Sequence, residues 1–201
     1  MNTALILSGG IGSRMGTEIP KQYIEVQNRL VISYSIEVLS RHVGIDEIQI
    51  VAAPQWHEKI VESLTTYDKD KKFRGFSVPG ENRQLSIYHG LTDIRSFAED
   101  SDIVLVHDAA RPLLSEQIIT DSLSAVEGHD GVLPILSMKD TVYKSEDGRR
   151  IDALLDRDQL FAGQAPETFR IGAYYQANRR LRLDQMLSIN GAAELAFMAG
   201  L

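Results

Sequence analysis

Short apolar runs recur along this chain, and each is followed by a stretch whose apolar positions fall at helical spacing. "TALILS" (3–8), "EIQIVAA" (47–53), "KFRGFSV" (72–78), "DIVLVHD" (102–108) and "DGVLPIL" (130–136) read as strands. Between them, "VISYSIEVLSRH" (31–42) repeats Ile32, Ile36 and Leu39 on one helical face. "WHEKIVESLTTY" (56–67), "ENRQLSIYHGLTDIRSF" (81–97) and "SEQIITDSLSAVE" (115–127) read as further helices, the last opened by Ser115 as a cap. Such alternation predicts an α/β fold: a mostly parallel sheet covered by helices on both faces. Ligands in these sheets bind beyond the carboxyl ends of the strands. The loops at 8–21, 79–83 and 107–112 leave those ends, and all three carry arginine or lysine.

The rest of the chain has a different texture. "KDTVYKSEDGRRIDALLD" holds two strand-like halves around Glu146-Asp147-Gly148, which is hairpin turn chemistry. Its apolar surface is thin for a hairpin packing on its own core. Residues 138–156 are therefore expected to project as an arm onto a partner subunit. Helices are expected over 170–181 and 191–200, and the 201 residues are expected to form one domain.

The formal charge of −7 argues against a nucleic-acid surface. A few arginines gathered in one cleft would then stand out. The absence of cysteine removes disulfides and thiolate chemistry, and no histidine pair has metal-ligand spacing. With no apolar run long enough to span a bilayer and no leader-like N-terminus, a cytoplasmic protein with no membrane partner is expected.

The first loop, "SGGIGSRMGTEIPKQY", suits phosphate. It fails the dinucleotide pattern G-x-G-x-x-G, because Met15 stands at the third glycine. It fails the P-loop too, because Lys21 follows Pro20 and no Gly-Lys-Ser/Thr is present. What fits is a glycine loop that wraps a nucleoside triphosphate, with Arg14 and Lys21 neutralising it. Cations at a departing pyrophosphate are a large catalytic contribution. In "VLVHDAARP" (104–112), a strand delivers Asp108 at its carboxyl end, where magnesium is held by one or two carboxylates plus phosphate oxygens. Ala109 and Ala110 allow close approach to the backbone, and Arg111 adds charge. In "PGENRQLSIYHG" (79–90), Arg83 and Ser86 share a helix face, and Gly80 leaves room for a base or ribose.

Together, "SGGIGSRMGTEIPKQY", "GENRQLSIYHGL", "VLVHDAARP", "KDTVY", "LLDRDQLF" and "GQAPETF" resemble the 2-C-methyl-D-erythritol 4-phosphate cytidylyltransferase family and its sister ribitol-5-phosphate cytidylyltransferases. The resemblance implies a Rossmann-like nucleotidyltransferase fold with a mixed sheet. It implies that Ser8, Gly9, Gly10, Ile11 and Gly12 cradle CTP, with Arg14 and Lys21 catalytic on its phosphates. Gly80, Arg83 and Ser86 would face cytosine and ribose, and Asp108 would bind Mg²⁺. Ala109, Arg111, Thr141 and Arg157 would serve the polyol phosphate, the arm crossing to the other subunit of a homodimer. The implied reaction joins CTP to 2-C-methyl-D-erythritol 4-phosphate in isoprenoid precursor synthesis. Ribitol 5-phosphate, for cell-wall or capsule polymers, is the alternative substrate.

Two departures bear on this. Ala165-Pro166-Glu167 stands where the family usually has Thr-Pro-Gln, and "SINGAAEL" stands where relatives carry a Thr-Asp pair. A further family strand beyond "FMAGL", with an acidic metal ligand and a lysine, is expected to be missing. A glycosyltransferase would want D-x-D after a core strand, whereas Asp156-Arg157-Asp158 follows the arm. A non-catalytic CTP-binding or assembly protein is the rival of another class.

Overall fold

The computed structural model describes residues 1–10, 19–189 and 191–201. In chain order the elements begin with β1 (Asn2–Leu7), the short pair β2 (Glu25–Val26) and β3 (Arg29–Leu30), α1 (Val31–Arg41), β4 (Glu47–Val51), α2 (His57–Tyr67), β5 (Phe73–Ser77) and α3 (Arg83–Ile94). They continue with β6 (Ile103–Asp108), α4 (Glu116–Ala125), β7 (Gly131–Val132), β8 (Ile135–Ser137), β9 (Val142–Lys144) and β10 (Ala153–Leu155). The last are β11 (Phe161–Gly163), β12 (Glu167–Arg170), α5 (Ile171–Arg179), α6 (Leu183–Ser188) and α7 (Ala192–Ala199).

A six-stranded sheet runs β5-β4-β1-β6-β12-β7. The β5-β4-β1-β6 core is parallel, and β12 lies antiparallel to both β6 and β7. Successive β1 side chains go to opposite faces. Ala4 and Ile6 join Ile48, Ile50 and Leu105 under the α1–α2 side, where Ile32, Ile36 and Leu39 of α1 are fully buried as expected. Leu5 joins Val104, Val106 and Phe169 on the side covered by α3, α5 and α7. Both faces are thus apolar, which is why these strands read as continuous runs. No helix among the described residues is long and apolar enough to cross a membrane.

Two expectations need correction. The single strand over 130–136 is two: Pro134, with no N–H for a ladder, separates β7 in the main sheet from β8, which pairs with β11. The strand β12, inserted between β6 and β7, was not expected; its four residues "ETFR" are too short for a period-2 signal. Elsewhere the helical tail forms, α6 in addition. Ser115 caps α4, its hydroxyl accepting from the Ile118 N–H at 3.3 Å. The hairpin forms as β9–β10, with Leu155 opposite Val142, and its turn is held by Asp147, which accepts from the Arg149 and Arg150 N–H groups.

Candidate active site

The carboxyl ends of β1 and β6 and the first turn of α3 open onto one cavity of about 620 Å³. Gly9, Gly10, Lys21, Gly80, Arg83, Ser86, Asp108 and Arg111 all line it. Eight candidates from three separate loops therefore meet where a parallel sheet places its ligands. Ala110 lines it as well, while Ala109 is fully buried in the core and donates its N–H to the Leu7 carbonyl at 3.0 Å. Ile11, Gly12 and Arg14 lie outside the described residues. Thr141 sits on the exposed arm and Arg157 just after it, and neither lines this cavity; the Arg157 guanidinium donates to the Lys139 carbonyl at 3.0 Å.

The glycine loop leaves β1 under tight control. Ser8 is buried, its hydroxyl donating to the Tyr23 hydroxyl at 2.7 Å, so it contributes backbone rather than side chain. Tyr23 in turn donates to the Ser8 carbonyl at 2.9 Å. The Gln22 amide donates to the carbonyls of Ser8 at 2.9 Å and Gly10 at 2.7 Å. Gln22 and Tyr23 are site-building residues that motif reading missed. Their only signal was adjacency to Lys21. They grip the start of the loop and set the short helical turn that carries Lys21 to the cavity.

The second wall is a turn that requires glycine. A Cβ on Gly80 would stand 2.5 Å from the Leu85 Cβ and 2.8 Å from its backbone carbon. The Gly80 N–H donates to the Ser86 hydroxyl at 2.9 Å, and that hydroxyl donates to the Asn82 carbonyl. Ser86 thus closes the turn before α3, and Asn82 caps the helix by accepting from the Leu85 N–H at 2.8 Å. Gly9 abuts this wall: a Cβ there would lie 2.5 Å from the Pro79 Cβ.

Charge gathers on the third wall. Arg83 Nε donates to one oxygen of Asp108 at 3.1 Å, and Arg111 Nε donates to the other at 3.1 Å. A second nitrogen of Arg83 donates to Glu167 at 3.0 Å. Burial alone would raise the Asp108 pKa, but the charge and hydrogen bond of Arg83, then the charge of Arg111, hold it below the usual carboxylate range. Burial likewise works against the charged Arg83, and Asp108 and Glu167 more than offset it, so its pKa is raised. Behind them His107 is buried, its Nε2–H donating to the Arg111 carbonyl at 3.0 Å. Its Nδ1 has no hydrogen-bond partner among the described residues. Burial pushes the imidazole pKa down, so it is a neutral brace for the 108–111 turn.

Among the described residues no group of three or more His, Cys, Asp or Glu is placed to hold a metal. Asp108 nonetheless has the chemistry for one: a carboxylate with 28% of its side chain exposed, already paired to two cations. A single carboxylate fits magnesium only when phosphate oxygens complete the shell. The residues fit a divalent cation that arrives with a nucleotide.

The model of the IspD family, 2-C-methyl-D-erythritol 4-phosphate cytidylyltransferase, matches residues 3–201. The protein of that function from Syntrophotalea carbinolica is 33% identical over 98% of this chain and 83% of its own length. The ribitol-5-phosphate cytidylyltransferase of Streptococcus agalactiae serotype III is 29% identical over 89% of this chain and 75% of its own. The crystal structure of 4-diphosphocytidyl-2C-methyl-D-erythritol synthase from Anaerococcus prevotii superimposes with a TM-score of 0.82 at 26% identity, covering 98% of this chain and 81% of that one.

Proposed function

The chain belongs to the 2-C-methyl-D-erythritol 4-phosphate cytidylyltransferase family and is a cytidylyltransferase; from that premise we propose that it transfers the cytidylyl group of CTP to 2-C-methyl-D-erythritol 4-phosphate. The observation that carries this reading is the convergence of Gly9, Gly10, Lys21, Arg83, Asp108 and Arg111 on one cavity. The choice of polyol rests on the family match along residues 3–201 and on the identity to the Syntrophotalea carbinolica protein. The Streptococcus agalactiae relative favours ribitol 5-phosphate as the second reading.

The chemistry asks little of the protein beyond position and charge. A phosphate monoester, with a second pKa of about 6, is already dianionic at neutral pH, so no general base is needed. Its oxygen bonds to the α-phosphorus of CTP while the bond to the bridging oxygen of the β-phosphate breaks, and pyrophosphate leaves with that electron pair. The backbone of Gly9 and Gly10 receives the polyphosphate, and Lys21 with Arg14 neutralises the charge that grows on the leaving group. Gly80, Arg83 and Ser86 form the wall for cytosine and ribose. Asp108 would hold Mg²⁺, which when bound supplies further neutralisation of the phosphates. Arg111 meets the incoming monoester. Thr141 and Arg157, which do not line their own chain's cavity, would serve the polyol phosphate of a second subunit through the arm.

Phosphorus NMR of CTP mixed with 2-C-methyl-D-erythritol 4-phosphate and Mg²⁺ tests the reading. Two mutually coupled diphosphate signals and free pyrophosphate are expected to grow together. A spectrum that keeps the CTP signals intact under these conditions, while ribitol 5-phosphate consumes them, would transfer the assignment to the second reading.

A further inference from the structure

Each oxygen of Asp108 already accepts from an arginine, Arg83 on one and Arg111 on the other, and both guanidinium charges compete with a cation for it. The two arginines are anchored unequally. Arg111 has half of its side chain exposed, and among the described residues its guanidinium pairs with Asp108 alone. Arg83 sits on the first turn of α3 and has a second carboxylate, Glu167, whose side chain is only 11% exposed. The other oxygen of Glu167 accepts from the Ala193 N–H in the first turn of α7 at 3.2 Å, so the carboxylate is held on two sides. Register fixes it there: Glu167 pairs with Val106, two residues before Asp108 on the neighbouring strand.

We propose that Glu167 is a positioning residue that holds Arg83 in the nucleotide wall by a charge of its own, so that Asp108 can release a guanidinium to a divalent cation without Arg83 leaving the site. The proposal rests on the reading of Asp108 as the cation's carboxylate. Two physical effects of Glu167 act in one direction. It divides the charge of Arg83, which weakens the grip of Arg83 on Asp108. It also adds a negative charge to a cluster that must admit a cation. Without it the four-residue cluster of Arg83, Arg111, Asp108 and Glu167 passes from neutral to net positive. A positive cluster opposes the metal and does not oppose the anionic nucleotide.

The test is Mn²⁺ binding by the wild type, Glu167→Gln and Glu167→Ala with CTP present, read as the loss of the free-ion paramagnetic resonance signal beyond that of a protein-free CTP blank. Affinity for CTP is measured beside it by calorimetry without metal. Glu167→Gln keeps size and an acceptor for the Ala193 N–H, so it separates charge from folding. The expected result is a half-saturating Mn²⁺ concentration raised about fivefold in Glu167→Gln and at least as much in Glu167→Ala, with metal-free CTP binding undiminished in Glu167→Gln. An unmoved Mn²⁺ midpoint in Glu167→Gln overturns the proposal, as does a metal-free CTP affinity that falls in step with it, since a merely structural residue gives one of those. A wild type that takes up no Mn²⁺ beside CTP, or an Asp108→Asn variant that takes up as much, sinks the cation reading itself and the anchor with it.

Discussion

Around the cavity, each charge on the third wall is met within the chain: Arg83 lies between Asp108 and Glu167, and Arg111 pairs with Asp108. Across the arm's ladder β9–β10 and the neighbouring ladder β8–β11 the reverse holds, with Leu136 at 61% and Leu154 at 67% exposure, and Ile135, Tyr143 and Phe161 also exposed. The cavity is organised by partners that one chain supplies. The arm is a backbone scaffold, paired strand to strand, whose Tyr143, Ile151 and Leu154 side chains stay exposed within the chain. Burying one such apolar side chain is worth about 1.5–3 kcal/mol. The arm's sequence is therefore spent on something outside its own core, which in our reading is the second subunit.

The largest expected break in that contrast is at the phosphates. Lys21 is exposed, so Lys21→Ala is expected to leave the melting temperature unchanged and to lower kcat by about 100- to 1000-fold in a pyrophosphate-release assay. Arg14→Ala is expected to behave alike. Near-normal turnover in either would remove charge neutralisation from the mechanism. Next comes Gly80→Ala, whose methyl meets the backbone of Leu85. It is expected to cost about 1–3 kcal/mol in urea unfolding and to raise the KM for CTP; an unchanged midpoint would mean that the turn yields freely.

Leu154→Ser sharpens the comparison from the other side. Being exposed within the chain, it is expected to alter subunit stability by less than about 0.5 kcal/mol. It is expected to move the elution of the protein in gel filtration toward the single chain. Unchanged elution would mean that the arm has another use. The smallest effect is at His107. Its folded pKa is depressed, so below the ordinary value of about 6.5 the unfolded chain binds the proton first and stability falls with pH. His107→Gln, which can still donate to the Arg111 carbonyl, is expected to flatten that slope in thermal melts between pH 7 and pH 5.5. A slope identical to the wild type would place its origin elsewhere.

Much of this was legible in the sequence because its physics is local. The buried strands β1, β4 and β6 announce themselves as apolar runs, and Ile32, Ile36 and Leu39 announce the inner face of α1. Residues at strand ends follow from the strands, so the loops after β1, β5 and β6 already place Lys21, Arg83 and Asp108 on one side of the sheet, where they line one cavity. What stayed hidden depends on long-range pairing. Glu167 gains its place only because β12 is laid antiparallel against β6, and four residues carry too little pattern to reveal that. Gln22 and Tyr23 act through carbonyls of Ser8 and Gly10, and such contacts leave no spacing rule in the sequence. Ala109 shows the converse. Its smallness read as access for a ligand, whereas the fold uses it to pack the core and gives the cavity to Ala110.

In our proposal this cavity selects a branched polyol phosphate and cuts CTP between its α- and β-phosphates. The most direct measurement compares kcat/KM for pyrophosphate release with 2-C-methyl-D-erythritol 4-phosphate and with ribitol 5-phosphate, at saturating CTP and Mg²⁺. The account predicts at least a tenfold preference for the former, a difference of about 1.4 kcal/mol in transition-state binding. Equal values or a preference for ribitol 5-phosphate would contradict the choice of substrate, and no pyrophosphate from either would contradict the catalytic reading of the cavity.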